Sequence, residues 1–192
     1  MLVHLVGHHD EIVFDGEIGE GQDPKSVSHE HTFMIDTADA TELDAMLVKL
    51  SEKVARRLRD HGVYARTVQI KLRYTDFSTF TRARTLDHAT QIDTEFSSAV
   101  RELFEKNWTG KAIRLLGVYA QSLGADEGQT NLLEEARTDK WRKTLAAVDK
   151  IRDKFGDTTV SLAAGMKANF RARVHENPEN LPGKDPKESR EK

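Results

Sequence analysis

Arg66-Thr-Val-Gln-Ile-Lys-Leu-Arg-Tyr74, with its continuation Thr75-Asp-Phe-Ser-Thr-Phe-Thr-Arg-Ala-Arg-Thr-Leu86, decides the fold. Val68, Ile70, Leu72 and Tyr74 alternate with Thr67, Gln69, Lys71 and Arg73, the period of two expected of a strand with one buried and one exposed face. Polar Thr75-Asp76 and Ser78-Thr79 interrupt the run, and a second β-rich stretch carrying Arg82 and Arg84 follows, so the two read as a hairpin. Between Ala65 and Leu86 stand five basic residues and one acid, a local charge of +4 in a chain whose formal net charge is −3. This contrast marks the exposed side of the hairpin as the expected working surface.

The pattern continues on both sides. Upstream, Ser26-Val-Ser-His-Glu-His-Thr-Phe-Met-Ile35 reads as a strand. Asp39 and Glu42 then stand at capping-box spacing before Leu43, Met46, Leu47, Leu50, Val54 and Leu58, which recur at helical intervals until Gly62, a helix-ending residue. The outer side of that helix carries Lys49, Glu52, Lys53, Arg56, Arg57 and Arg59 and is expected to be solvated. Downstream, Phe96, Val100, Leu103 and Phe104 define a second amphipathic helix over about residues 94–107, and Ile113-Arg-Leu-Leu-Gly-Val-Tyr-Ala-Gln-Ser-Leu123 reads as a last strand. The order β-α-β-β-α-β over residues 25–123 predicts an α+β, ferredoxin-like (split βαβ) fold: a four-stranded antiparallel sheet with both helices on one face and the other face open. A further helix with Trp141, Leu145, Val148, Ile151 and Phe155 in register ends at Gly156.

The 192 residues, 38% hydrophobic and 32% charged, can bury a real core. Cysteine is absent, which excludes disulfides and thiolate metal sites. No apolar run approaches the length of a membrane span, and Met1-Leu-Val-His-Leu-Val-Gly7 is too short and lacks the basic flank of a signal peptide, so a cytoplasmic protein with no membrane partner is expected. Residues 1–24 combine six acids with Gly16, Gly19, Gly21 and Pro24 and read as a linker or segment end. Residues 174–192 hold Pro178, Pro182 and Pro186 among many charges, and disorder is expected there. His29 and His31 share one strand face, but the histidine spacing fits no zinc signature and no metal site is assigned. Glu30, with no partner at recognised spacing, reads as structural, anchoring a backbone amide or a neighbouring arginine.

Two stretches carry a resemblance. Lys25-Ser-Val-Ser-His-Glu-His-Thr-Phe33 resembles the KSxSxExTF signature opening the little-finger domain of Y-family, translesion DNA polymerases, and Asp76-Phe-Ser-Thr-Phe-Thr-Arg-Ala-Arg-Thr-Leu86 is similar to that domain's DFxxxTRxxTL hairpin. Arg114-Leu-Leu-Gly-Val118 looks like its last strand. The resemblance implies that residues 1–24 are a thumb remnant and linker, that residues 25–123 are a little finger, and that the palm with its two magnesium ions and catalytic carboxylates lies elsewhere. The chain alone would then have no catalytic residue and no cofactor. It also implies double-stranded primer-template DNA as partner, together with the rest of the polymerase (palm, fingers and thumb). The motif match assigns DNA contact to Lys25, Ser26, Ser28, Thr81, Arg82 and Arg84, and strand parity adds Lys71 and Arg73. Within residues 124–173, Gln129-Thr-Asn-Leu-Leu133 has the Q-x-x-L-[FL] form of peptides that bind the bacterial sliding clamp, which would make Gln129, Leu132 and Leu133 clamp-binding. Residues 147–156 resemble the tail of the same polymerases.

The alternative is a stand-alone ferredoxin-like module that binds RNA or a protein. RNA readers of this shape stack bases on aromatic side chains, whereas the hairpin offers Arg, Lys, Thr and Gln. Aromatic residues make up only 7% of the chain.

Overall fold

The computed structural model describes residues 25–125, 132–156 and 159–168. The elements are β1 (Ser26–Thr37), α1 (Ala40–Asp60), β2 (Tyr64–Tyr74), β3 (Thr79–Thr90), α2 (Asp93–Asn107), β4 (Ile113–Gly124), α3 (Leu132–Phe155) and a short 3-10 helix, Ala163–Lys167. The alternating and helical periods thus fold as the sequence predicts. The expected thumb remnant, the tail for which disorder is expected, and Gln129 lie outside the described residues.

All strand pairs are antiparallel and the sheet order is β1-β4-β2-β3. β4 sits between β1 and β2, and β2 between β4 and β3, so each βαβ unit is split by one inserted strand. Val68, Ile70 and Leu72 of β2 and Leu116, Val118 and Ala120 of β4 point to the helix side, where they meet Leu43, Met46, Leu47, Leu50, Val54 and Leu58 of α1 and Phe96, Val100 and Phe104 of α2. The Asp39 carboxylate caps α1, accepting from the amides of Thr41 (2.8 Å) and Glu42 (3.4 Å). At the other end Gly62 takes φ +64°, and the amides of Gly62 and Val63 donate to the carbonyls of Arg59 and Leu58. This is the left-handed stop that glycine accepts without strain.

The expectation of a solvated outer face on α1 is overturned. α3 and the segment around the 3-10 helix lie across that face, and Glu52, Lys49 and Arg152 are buried at 3%, 8% and 5% exposure. Glu52 accepts from the Leu162 amide (2.6 Å) and from Arg152 of α3 (3.3 Å), while Lys49 donates to Ser161 (2.6 Å). Arg59 bridges Asp149 of α3 (2.6 Å) and buried Asp93 at the start of α2 (2.5 Å), and Arg56 reaches Asp153 (2.5 Å). Burial alone would lower the Arg59 guanidinium, but its hydrogen bonds to Asp149 and Asp93 outweigh this and hold it above its ordinary value. Burial pushes the Asp93 carboxyl up, opposed by Arg59. Among the described side chains of α3, those that meet α1 do so mainly through complementary charge. Of its predicted apolar stripe Leu145 is buried, while Trp141, Ile151 and Phe155 are exposed, because the docked side is turned toward Asp149 and Arg152. α1 is therefore the middle layer of three.

Candidate nucleic-acid interface

The face of the sheet turned away from α1 and α2 is set by register. Four cross-strand rows of paired residues, each running β1, β4, β2, β3, lie on it: Ser26, Gln121, Thr67, Thr85; Ser28, Tyr119, Gln69, Ala83; Glu30, Gly117, Lys71, Thr81; and Thr32, Leu115, Arg73, Thr79. The face is rich in hydroxyls and carries two cations and one carboxylate at these positions. Ser26, Ser28, Lys71, Arg73 and Thr81 of the predicted contact set share it, and Lys25 stands exposed just before β1. Ser28 is buried at 6% exposure, which leaves it little surface to offer.

Arg82 and Arg84 do not share that face. They pair with Ile70 and Val68, so they point to the helix side of β3. The reading that put all the hairpin cations on one uncovered face is corrected by this register. Both arginines are nonetheless exposed, because β3 is an edge strand that projects beyond the helices through residues 81–85. The Arg82 guanidinium stacks 4.3 Å from the Phe80 ring centroid, and Arg84 pairs with Glu102 of α2 at 2.6 Å. Phe80 packs half-buried against the core beneath Arg82 and gives the guanidinium an apolar platform.

The turn joining β2 and β3 is held by Asp76, whose carboxylate accepts from the amide (2.9 Å) and hydroxyl (2.5 Å) of Ser78; these bonds lower its pKa. Phe77 takes φ +64°, uncommon for a bulky residue, and its ring is covered by Arg114 at 4.7 Å. Arg73 donates to Thr79 at 3.1 Å, tying the two strands beside the turn.

On the third row Lys71 donates to Glu30 at 2.8 Å, and the Tyr119 hydroxyl donates to the same carboxylate oxygen. Burial, then the hydrogen bond and charge of Glu30, push the Tyr119 phenol well above its ordinary value, so it keeps its proton and acts as donor. Glu30 thus holds a lysine and a phenol in place of the expected backbone amide or arginine, and Tyr119 and Gly117 were not foreseen as members of the site. Only the parity of β4 relative to β1 could have signalled them. His29 lies on the opposite side of β1, under Lys53 and Arg57 of α1; burial, then these two cations, push it down to about 3. Among the described residues no group of three or more His, Asp or Glu is placed to hold a metal ion, and no helix is long and apolar enough to cross a membrane.

Leu132 and Leu133 form the first turn of α3, just after the end of β4, and Gln129 is outside the described residues.

The model of the impB/mucB/samB family C-terminal domain matches residues 24–132, which take in all four strands with α1 and α2. DNA polymerase IV 1 of Mesorhizobium japonicum is 39% identical over 140 residues, covering 72% of this chain and 32% of that protein. A DNA polymerase IV of Dehalococcoides mccartyi is 39% identical over 145 residues, 74% of this chain and 37% of that protein. The chain spans about a third of the length of these curated relatives. Among solved structures, a little finger domain of PolIV in complex with the beta-clamp processivity factor is 20% identical with a TM-score of 0.44, covering 56% of this chain and 97% of that one. The family match over the complete sheet-and-helix unit shows that the chain belongs to the impB/mucB/samB family of Y-family DNA polymerases, and that this unit is its little-finger domain.

Proposed function

We propose that the chain grips primer-template duplex DNA for a Y-family polymerase, through contacts to the phosphate backbone that do not read sequence. The observation that carries this reading is β3, an edge strand exposed on both sides, with Thr79, Thr81 and Thr85 on one and Arg82 and Arg84 on the other. Hydroxyls and guanidinium groups are the donors that phosphate oxygens accept, and such contacts position a duplex without specifying bases. Lys25, Ser26 and Arg73 extend the grip across the open face, while Ser28, buried at 6% exposure, and Lys71, paired with Glu30, add less to it. In this reading nucleotidyl transfer and its two magnesium ions belong to a palm domain outside residues 1–192, and the chain works with the palm, fingers and thumb in the cytoplasm. The segment containing Gln129, Leu132 and Leu133 docks on a bacterial sliding clamp. An RNA-binding module is disfavoured because Tyr119 is the one aromatic side chain at the paired positions of the open face, and its hydroxyl is committed to Glu30.

Fluorescence anisotropy with duplex DNA at low and moderate salt tests the grip. Binding should weaken steeply with salt, and Arg82→Ala with Arg84→Ala should cost about tenfold, on the order of one or two lost phosphate contacts. Salt-insensitive binding, or an unaffected double variant, would reject it. Retention on an immobilised bacterial clamp should be lost in Leu132→Ala/Leu133→Ala; equal retention of wild type and variant would reject the clamp contact.

A further inference from the structure

Glu30 is the one carboxylate among the described residues at a paired position of the open face, an unfavourable charge on a surface that meets phosphates. β1 and β2 are not neighbours; β4 separates them by roughly 9–10 Å, twice the spacing of adjacent strands. Glu30 and Lys71 meet only because the intervening position is Gly117. A Cβ there would lie 3.1 Å from Glu30 Cγ, 3.1 Å from Tyr119 Cε2 and 3.2 Å from Glu30 Oε1, tighter than ordinary contacts. The Lys71 ammonium, with three donors, gives one to Glu30 at 2.8 Å and approaches the Tyr119 oxygen at 3.4 Å. Its side chain is 24% exposed and that of Glu30 20%, so the lysine lies along the sheet and does not stand out from it.

We propose that Glu30 is a positioning residue for duplex binding: with Tyr119 it holds the Lys71 ammonium down over Gly117 and withholds most of its charge from the DNA backbone. This rests on the reading of the sheet as a duplex-gripping surface and adds to it a limit on the strength of the grip. A domain that holds a duplex which must advance after every step gains from a hold that releases, and a neutralised cation in the middle of the face supplies this without removing the lysine.

The test is a salt titration of duplex binding by the whole chain: wild type, Glu30→Gln, Glu30→Gln with Lys71→Met, and Gly117→Ala. Glu30→Gln keeps the shape of the side chain and frees the ammonium. It should bind several-fold tighter at low salt, with a slope of log affinity against log salt steeper by about 0.9, the value of one added phosphate contact. Adding Lys71→Met should remove the gain. Gly117→Ala, which crowds Glu30 and Tyr119 apart, should shift affinity the same way by less. Unchanged or weaker binding by Glu30→Gln, tighter binding at an unchanged slope, or a gain that survives Lys71→Met would each overturn the proposal. A wild-type chain that does not bind duplex at low salt would instead sink the duplex reading itself, and the wild-type titration alone reports that.

Discussion

The outer face of α1 and the open face of the sheet look alike in the sequence, each a row of basic residues among polar ones, and they meet opposite fates. On α1 every charged residue of the outer face is at least half-buried, and Glu52, Arg56 and Arg59 are matched by side chains of α3. On the sheet no helix among the described residues covers the face, and most of its side chains are hydroxyls and amides. A charged row tells where water or a complementary charge must be, but not which of the two. What decided it for α1 was a second charged segment, residues 149–153, far along the chain.

The contrast breaks most visibly at Glu52. Removing one partner from a buried ion pair strands the other, so Glu52→Ala should cost about 3–5 kcal/mol in denaturant unfolding. A loss below about 1 kcal/mol would mean that the α3 docking is energetically an exposed contact. The next effect is on pH. The folded-state pKa of His29, about 3, lies below the unfolded value of about 6.5, so the unfolded chain takes up the proton first. Its contribution is present above pH 6.5 and is lost as pH falls toward 3, at up to about 1.4 kcal/mol per pH unit. Asp93, raised by burial, acts with the opposite sign, so the measurement is the difference between wild type and His29→Leu across this window. A difference flat with pH would show that His29 is not held neutral. The smallest effect belongs to the sheet side. Arg84 and Glu102 form the same kind of pair as Arg152 and Glu52, but at 43% and 47% side-chain exposure against 5% and 3%. Glu102→Ala should therefore cost less than about 1 kcal/mol, and a cost equal to that of Glu52→Ala would erase the distinction between the faces.

The order of strands and helices was legible because each obeys one period: two in Val68, Ile70 and Leu72, and three to four in Leu43, Met46, Leu47 and Leu50. Gly62 and Asp39 marked the ends of α1 for physical reasons that hold locally. The side on which Arg82 and Arg84 point was not legible. The turn pairs Arg73 with Thr79, and this fixes the parity of β3 against β2; one residue more or less in the turn would send every β3 side chain to the other face. The same holds for Glu30, Gly117 and Tyr119, whose meeting depends on the register of two strands far apart in the chain. Local patterns reveal elements, whereas a site assembled across three strands depends on pairings that no local pattern encodes.

The place of β4 bears on how the protein is made. Among the described residues β1 pairs with β4 alone, and Val27 must wait for Ala120 to be paired. During synthesis the first strand and the hairpin therefore leave the ribosome with a gap between them, and the last strand of the sheet must enter its interior. Closure on so distant a partner carries a large loop entropy and makes for slow folding. The hairpin can form early, but the face that it shares with β1 exists only once the final strand is in place.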